Sequence, residues 1–249
     1  MKRQERQHLK ENELVRSIEA ARGYIEPRRK QMTLVVSVIV VVIVAVGGFF
    51  LLRQRANGKA DEALASALVA YNARVVPPSD PDAADLPESA ALGAEGTFLS
   101  ESSKLRAALP KLQAVADQYP NEEAGIVARY HLASALATLG RSDEAIKQYE
   151  EVAKRAKNDD VYNRMARLGL ADTQLHAGQL DAAIASWKQL ADENDADIPK
   201  DAVLLELGKA YAAKGNKDEA RKMFTQLLDQ HANSPYSADA KAGLDGLKG

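Results

Sequence analysis

An uninterrupted apolar run near the N-terminus stands apart from the rest of the chain. Residues 32–52 contain no charged side chain, and only Thr33 and Ser37 are polar. Because an α-helix rises about 1.5 Å per residue, this run is long enough to cross the roughly 30 Å hydrocarbon core of a bilayer. A lone strand in lipid would leave its backbone groups unpaired. The pattern therefore predicts a single transmembrane helix over residues 32–52.

The residues that precede this run are basic and amphipathic. Residues 1–31 hold nine Lys and Arg against five Asp and Glu, and an apolar stripe recurs at helical spacing from Leu14 to Ile25. We expect a short helix that lies on the inner leaflet, packs on a partner protein or simply leads into the membrane. Bases are denser before the run than after it, which favours a cytoplasmic N-terminus. A cleaved signal peptide would have a shorter apolar region and a shorter leader.

Beyond the apolar run, one pattern recurs with a period of 37–38 residues. In three segments a Leu is followed after 8 residues by a Gly, after 5 more by an Ala and after 4 more by an aromatic residue. The sets are Leu132, Gly140, Ala145 and Tyr149; Leu170, Gly178, Ala183 and Trp187; and Leu207, Gly215, Ala220 and Phe224. Such regularity is typical of stacked helix–turn–helix units, each with too small a core to fold alone. We therefore predict an all-α fold in which the transmembrane helix is followed by an α-solenoid of helix–turn–helix repeats.

Each position of this pattern has an expected structural role. The Gly supplies the left-handed backbone that ends the first helix of a unit, and an Asp three residues later caps the second helix. The Ala lets the two helices approach, and the aromatic ring fills the gap against the next unit. We place repeats near residues 59–120, 122–157, 160–197 and 200–233, with a capping helix over 235–247, and we expect few or no strands. A proline-rich loop over 75–97 divides the first repeat.

The spacing resembles the tetratricopeptide repeat, although the period is longer than the usual 34 residues. The match is most specific in the last unit, at Leu204, Leu207, Gly208, Tyr211, Gly215, Ala220, Phe224 and Leu227. The resemblance implies a groove, lined by the first helices, that binds extended peptides or partner helices. The groove positions fall on Val127, Tyr130, Ser134, Met165, Leu168, Asp172, His176, Leu205 and Lys209. For each of them, plain packing between repeats is the alternative, and only Lys209 fits the carboxylate clamp of chaperone-binding members.

Charge and composition argue against several function classes. Beyond Met32 the chain has 24 Lys and Arg against 30 Asp and Glu, and such an acidic surface repels the phosphates of nucleic acids. There is no cysteine, and the four histidines share no spacing typical of metal ligands. No phosphate-binding glycine loop or nucleophile motif occurs. We therefore expect no enzyme activity, no cofactor, no metal and no small-molecule substrate.

The layout as a whole is similar to the YfgM-type family of bacterial inner-membrane proteins. This resemblance implies a single-pass inner-membrane protein with a periplasmic domain at residues 53–249 and a cytoplasmic segment at residues 1–31. It also implies an accessory role at the Sec translocon, with translocon subunits, a periplasmic chaperone or unfolded exported chains as partners. The second hypothesis is a structural adaptor for cell-envelope assembly or cell division that holds one fixed partner.

Overall fold

The computed structural model describes residues 29–76, 97–158, 160–193 and 197–248, and within its first helix it describes the side chains of residues 37–48 and 57–71. The amphipathic stripe predicted before residue 26 and the interior of the proline-rich loop lie outside these residues. The chain divides into two compact units, Met1–Ala56 and Asn57–Gly249. All the repeats belong to the second unit.

Helix α1 runs from Arg29 to Tyr71. It takes in the segment over which we predict the membrane span, and the described valines and isoleucines there are exposed. Among the described residues, no helix combines the length and the apolar character that crossing a membrane requires. The transmembrane helix stays a prediction.

A short pair of parallel strands follows α1. Strand β1 (Arg74–Val75) pairs with β2 (Thr97–Phe98), with Val75 opposite Phe98. The N–H of Val76 donates to the carbonyl of Phe98 at 2.8 Å, and both side chains are buried. This pair joins the two ends of the proline-rich segment, and the described residues contain no other strands.

The rest of the described chain consists of helices that pack one after another. Their bounds are α2 Glu101–Gln118, α3 Glu123–Thr138, α4 Ser142–Arg155, α5 Val161–His176, α6 Leu180–Asp192, α7 Lys200–Ala213, α8 Lys217–Gln230 and α9 Ser237–Gly246. Each helix from α3 to α9 contacts the one before it, α3 also contacts α5, and α7 also contacts α9. The predicted all-α solenoid of helix pairs is confirmed. We call α3, α5 and α7 the first helices and α4, α6 and α8 the second helices.

The turn inside each pair is made by a glycine with left-handed backbone, as predicted. The φ angles of Gly140, Gly178 and Gly215 are 73°, 72° and 83°. In all three turns the N–H of the residue after the glycine donates to a carbonyl five residues earlier, at 2.9 Å. This bond satisfies one of the carbonyls that the end of the first helix leaves open.

The predicted capping of the second helices by aspartate is wrong. The N-cap positions of α4, α6 and α8 are occupied by Arg141, Gln179 and Asn216, of which Asn216 alone accepts a capping hydrogen bond with its side chain, from the N–H of Glu219. The aspartates lie inside the first turn because each helix begins earlier than expected. There a carboxylate stabilises the helix through the partial positive charge of its N-terminus. These aspartates are Asp143, Asp181 and Asp218.

An aromatic ring from each second helix enters the core beside small residues, as predicted. Tyr149, Trp187 and Phe224 are all buried. A Cβ atom built on Gly208 would lie 2.5 Å from Cε1 of Phe224, and one built on Gly169 would lie 2.6 Å from Cζ of Tyr149. Since real Cβ atoms do not approach so closely, these glycines leave the space that the rings occupy. The buried side chains form two clusters, one from α1 to α5 and one from α5 to α9.

Candidate functional site

The exposed apolar side chains of the second unit lie away from the second helices. Among its described residues, the large apolar side chains with substantial exposure are Val69 on α1 and Val161 and Met165 on α5. Met165 is 38% exposed and follows Val161 by one helical turn, so the two share a face of α5. Exposed apolar surface beside polar surroundings is a mark of binding sites.

Next to this face, four tyrosines and a histidine from four helices form a ring cluster. We call it the tyrosine cluster; it consists of Tyr71 (α1), Tyr130 and His131 (α3), Tyr149 (α4) and Tyr162 (α5). The Tyr130 ring is its centre, with centroids 5.5 Å from Tyr162, 6.0 Å from Tyr149 and 5.4 Å from His131. The Tyr71 ring lies 4.8 Å from His131. The rings meet tilted or edge to face, which is the favourable arrangement for aromatic pairs.

The hydroxyl of Tyr149 reaches the first helices through the gap left by Gly169. There it lies near the side chain of Ser134 on α3, and the Tyr71 hydroxyl donates to the Ser134 oxygen at 3.5 Å. Burial raises the pKa of Tyr149 well above its usual value, and the nearby Tyr130 and the negative charge of Asp172 add to this rise. Tyr149 therefore stays protonated at neutral pH.

His131 occupies the wall of the cluster between Tyr71 and Tyr130. Its Nδ1 atom is buried and has no hydrogen-bond partner among the described residues. Burial lowers the pKa of His131, because a buried imidazolium loses its hydration. The ring is neutral at pH 7 and serves as an aromatic wall.

The charged side chains of the first helices differ in whether a permanently charged group pairs with them. Each Lys and Arg of α3, α5 and α7 is engaged: Arg129, Arg164, Arg167 and Lys209 by carboxylates, and Lys200 by the last carbonyls of α6. Asp172 is 52% exposed, and its counter-group is His176, whose Nδ1 lies 3.4 Å from the carboxylate and is charged only when protonated.

The nine residues expected to line the groove occupy three kinds of environment. Val127 and Leu205 are only 7% and 2% exposed, so they follow the alternative of packing between repeats and offer almost no surface to a partner. Tyr130, Ser134 and Leu168 are half-buried, and Met165, Asp172, His176 and Lys209 are exposed. Tyr130 and Ser134 both lie beside Tyr149, whereas Lys209 pairs with Glu206 at 2.7 Å on α7.

Sequence reasoning missed the roles of Tyr71, Tyr149 and Tyr162 at this surface. The recurring pattern indicates only a gap-filling role for Tyr149, yet its hydroxyl reaches α3. One signal was available: Tyr162 lies three residues before Met165, and therefore on the same side of α5. Four of the eight tyrosines of the chain belong to the cluster, which is more than an even spread over the repeats would give. Within the described residues, no group of acidic and histidine side chains could hold a metal ion.

Comparison with known proteins gives the same architecture. Sequence models of the tetratricopeptide repeat match residues 94–161, 130–199 and 202–234, which together take in more than half of the chain. The chain is also similar to the ancillary SecYEG translocon subunit of Aggregatibacter actinomycetemcomitans, with 32% identity over 88 residues. That match covers 35% of this chain and 39% of the relative, so the chain spans about two fifths of the relative's length.

Two similar solved structures contain the nearly identical TPR-like repeats of a Podosopora anserina protein assigned as a kinesin light chain. One, a single-substitution variant, has a TM-score of 0.50 at 19% identity and covers 59% of this chain and 78% of its own. The other has a TM-score of 0.49 at 20% identity, with coverage of 59% and 79%. At 19% identity, the similarity to the single-substitution variant shows the fold alone. With its matched repeats, its helix pairs and its glycine turns, the chain belongs to the tetratricopeptide repeat family.

Proposed function

We propose that this chain is a membrane-anchored adaptor that binds a segment of another protein on the first-helix surface around the tyrosine cluster. The observation that carries the proposal is the placement of exposed Val161 and Met165 beside the half-buried rings of Tyr130 and Tyr162. Aromatic and methionine side chains are enriched at the centres of protein interfaces. Helix-pair arrays also bind their partners on the surface of the first helices.

The second part of the proposal is the cellular location of this adaptor and its partners. The name of the relative describes an ancillary subunit of the SecYEG translocon, and the uncharged run at residues 32–52 supports a membrane anchor. The excess of bases before the run supports a cytoplasmic N-terminus, with the repeats in the periplasm. The partners are then translocon subunits, a periplasmic chaperone or exported chains that have not yet folded.

Site-specific crosslinking in native membranes tests the proposal. A photo-reactive amino acid replaces Met165 in the full-length chain, and a matched variant carries it at Lys147, which is exposed on the second helix α4. We expect adducts with translocon subunits, chaperones or exported chains from position 165 and few from position 147. Equal labelling from both positions would contradict a binding surface on the first helices.

The identity of the adducts separates the two functions considered for this chain. Many exported chains together with translocon subunits support the proposal. A single stoichiometric partner from envelope assembly or cell division supports the fixed adaptor instead and overturns the translocon role. A reporter fused after Gly249 tests the orientation separately, because activity of the reporter only in the cytosol would reverse it.

A further inference from the structure

We infer that the first-helix surface selects apolar segments that carry a Lys or Arg side chain, with the cation placed beside Asp172. This inference rests on the proposed protein-binding function and specifies the chemistry of the partner. Three features carry it: the engaged state of the cations on the first helices, the ring surface beside Asp172, and the spacing between Met165 and Asp172 along α5.

The first feature is charge complementarity. The cations of α3, α5 and α7 are each held by a neighbouring carboxylate or by backbone carbonyls, so their charges are already compensated within the chain. Asp172 is half exposed, and its counter-group is a histidine that is charged only when protonated. A cationic partner gains an ion pair here, whereas an anionic one meets repulsion. This preference is the opposite of a carboxylate clamp.

The second feature is the aromatic surface next to that charge. Tyr149 packs against the Tyr130 ring, and its hydroxyl lies 2.9 Å from a Cβ atom built on Gly169, which precedes Asp172 by three residues on the same side of α5. The faces of tyrosine rings attract ammonium and guanidinium groups, and more strongly when the cation is partly dehydrated. The rings and the carboxylate therefore favour the same kind of ligand group. The methylene stem of a Lys or Arg can also cover the half-buried ring edges.

The third feature is spacing. Met165 and Asp172 lie seven residues apart, which is two turns of α5, so both lie on one face about 10 Å apart along the axis. An extended chain advances about 3.3 Å per residue. In an extended partner, the apolar side chain that contacts Met165 and the cation that pairs with Asp172 are therefore about three residues apart. In a helical partner they are about seven residues apart.

The chemistry of the surface also distinguishes among occupants. A second copy of the chain would bring a repeat unit that is net acidic beyond Met32, and anionic lipid headgroups would meet the charge of Asp172. Both are disfavoured by like-charge repulsion. A protein segment that joins apolar residues to a base satisfies the apolar face and the carboxylate together.

Peptide binding to the full-length chain in detergent micelles tests the inference. Two fluorescent peptides carry the same apolar residue. Three positions later, the first peptide has Lys and the second has Glu. At low salt we expect the Lys peptide to bind at least about tenfold more tightly than the Glu peptide, because Asp172 attracts the Lys and repels the Glu. Asp172→Asn should reduce this preference by about fivefold, and Asp172→Lys should reverse it.

The matched control is Asp181→Asn, which removes an exposed carboxylate from the second helix α6 and should leave the preference unchanged. Circular dichroism checks that each variant keeps its helices. If both peptides bind equally and Met165→Ala abolishes the binding of both, the protein-binding function stands and the inference is overturned. Binding that is unaffected by Met165→Ala and Asp172→Lys alike would overturn the proposed surface itself.

Discussion

The first and second helices differ most clearly in charge in one of the pairs. In the first complete pair, α4 has seven Asp, Glu, Lys or Arg among its 14 residues, whereas α3 has two among 16. A helix with one apolar stripe and charges elsewhere has one buried side and one solvated side. A helix that is apolar on most sides must bury several of them, and α3 does so against α2, α4 and α5.

This difference separates stability from binding. The second helices each insert one aromatic ring into the core and turn their charges to solvent, while the first helices supply the small residues that receive the rings. The face of the first helices that remains is where the tyrosine cluster and Met165 lie. Mutations inside the pairs should therefore change folding, and mutations on the first-helix face should change binding.

Removing a ring of the second helices should have the largest effect on stability. Phe224 is 1% exposed and lies against Gly208 and Gly243, so Phe224→Ala leaves a cavity that backbone glycines cannot fill. We expect a loss of about 3–5 kcal/mol in the free energy of unfolding, measured by urea unfolding of the full chain in micelles with circular dichroism. The control, Met165→Ala, should change it by less than about 0.5 kcal/mol. A similar loss in both variants would remove the distinction between the two kinds of helix.

The frame of the repeats was predictable from the sequence because each of its positions has a local physical reason. Gly140 must adopt a left-handed backbone, and Ala145 must be small, wherever this kind of turn and crossing occurs. The tyrosine cluster was not predictable in this way. It depends on Tyr71 reaching Ser134, 63 residues along the chain, and on Gly169, which lies outside the recurring pattern.

The turn that joins the two kinds of helix should show a smaller effect. At Gly215 the φ angle is 83° and a Cβ atom would meet nothing within 4 Å, so Gly215→Ala introduces backbone strain without a clash. We expect a loss of about 1–2 kcal/mol in unfolding free energy, measured in the same way. Gly246→Ala is the control, since Gly246 also has open space around it but no left-handed backbone. Equal losses at the two positions would mean that the turn geometry is not what the chain requires of Gly215.

The smallest effect concerns pH and a single ring of the first helices. Burial lowers the pKa of His131 in the folded state below its ordinary value of 6.5, so the unfolded chain binds a proton there more readily than the folded chain does. The free energy of unfolding should therefore fall as the pH decreases from about 6.5, until the folded-state pKa is passed and the loss is complete. His131→Phe keeps the ring contacts with Tyr71 and Tyr130 but cannot titrate, so its stability should decline less over the same range. The two proteins differ only at residue 131, so the difference between the two pH profiles isolates His131. Parallel pH profiles of the two proteins would show that His131 accepts a proton without leaving the cluster. The wall between α1 and α3 would then be more open to water than the buried Nδ1 of His131 indicates.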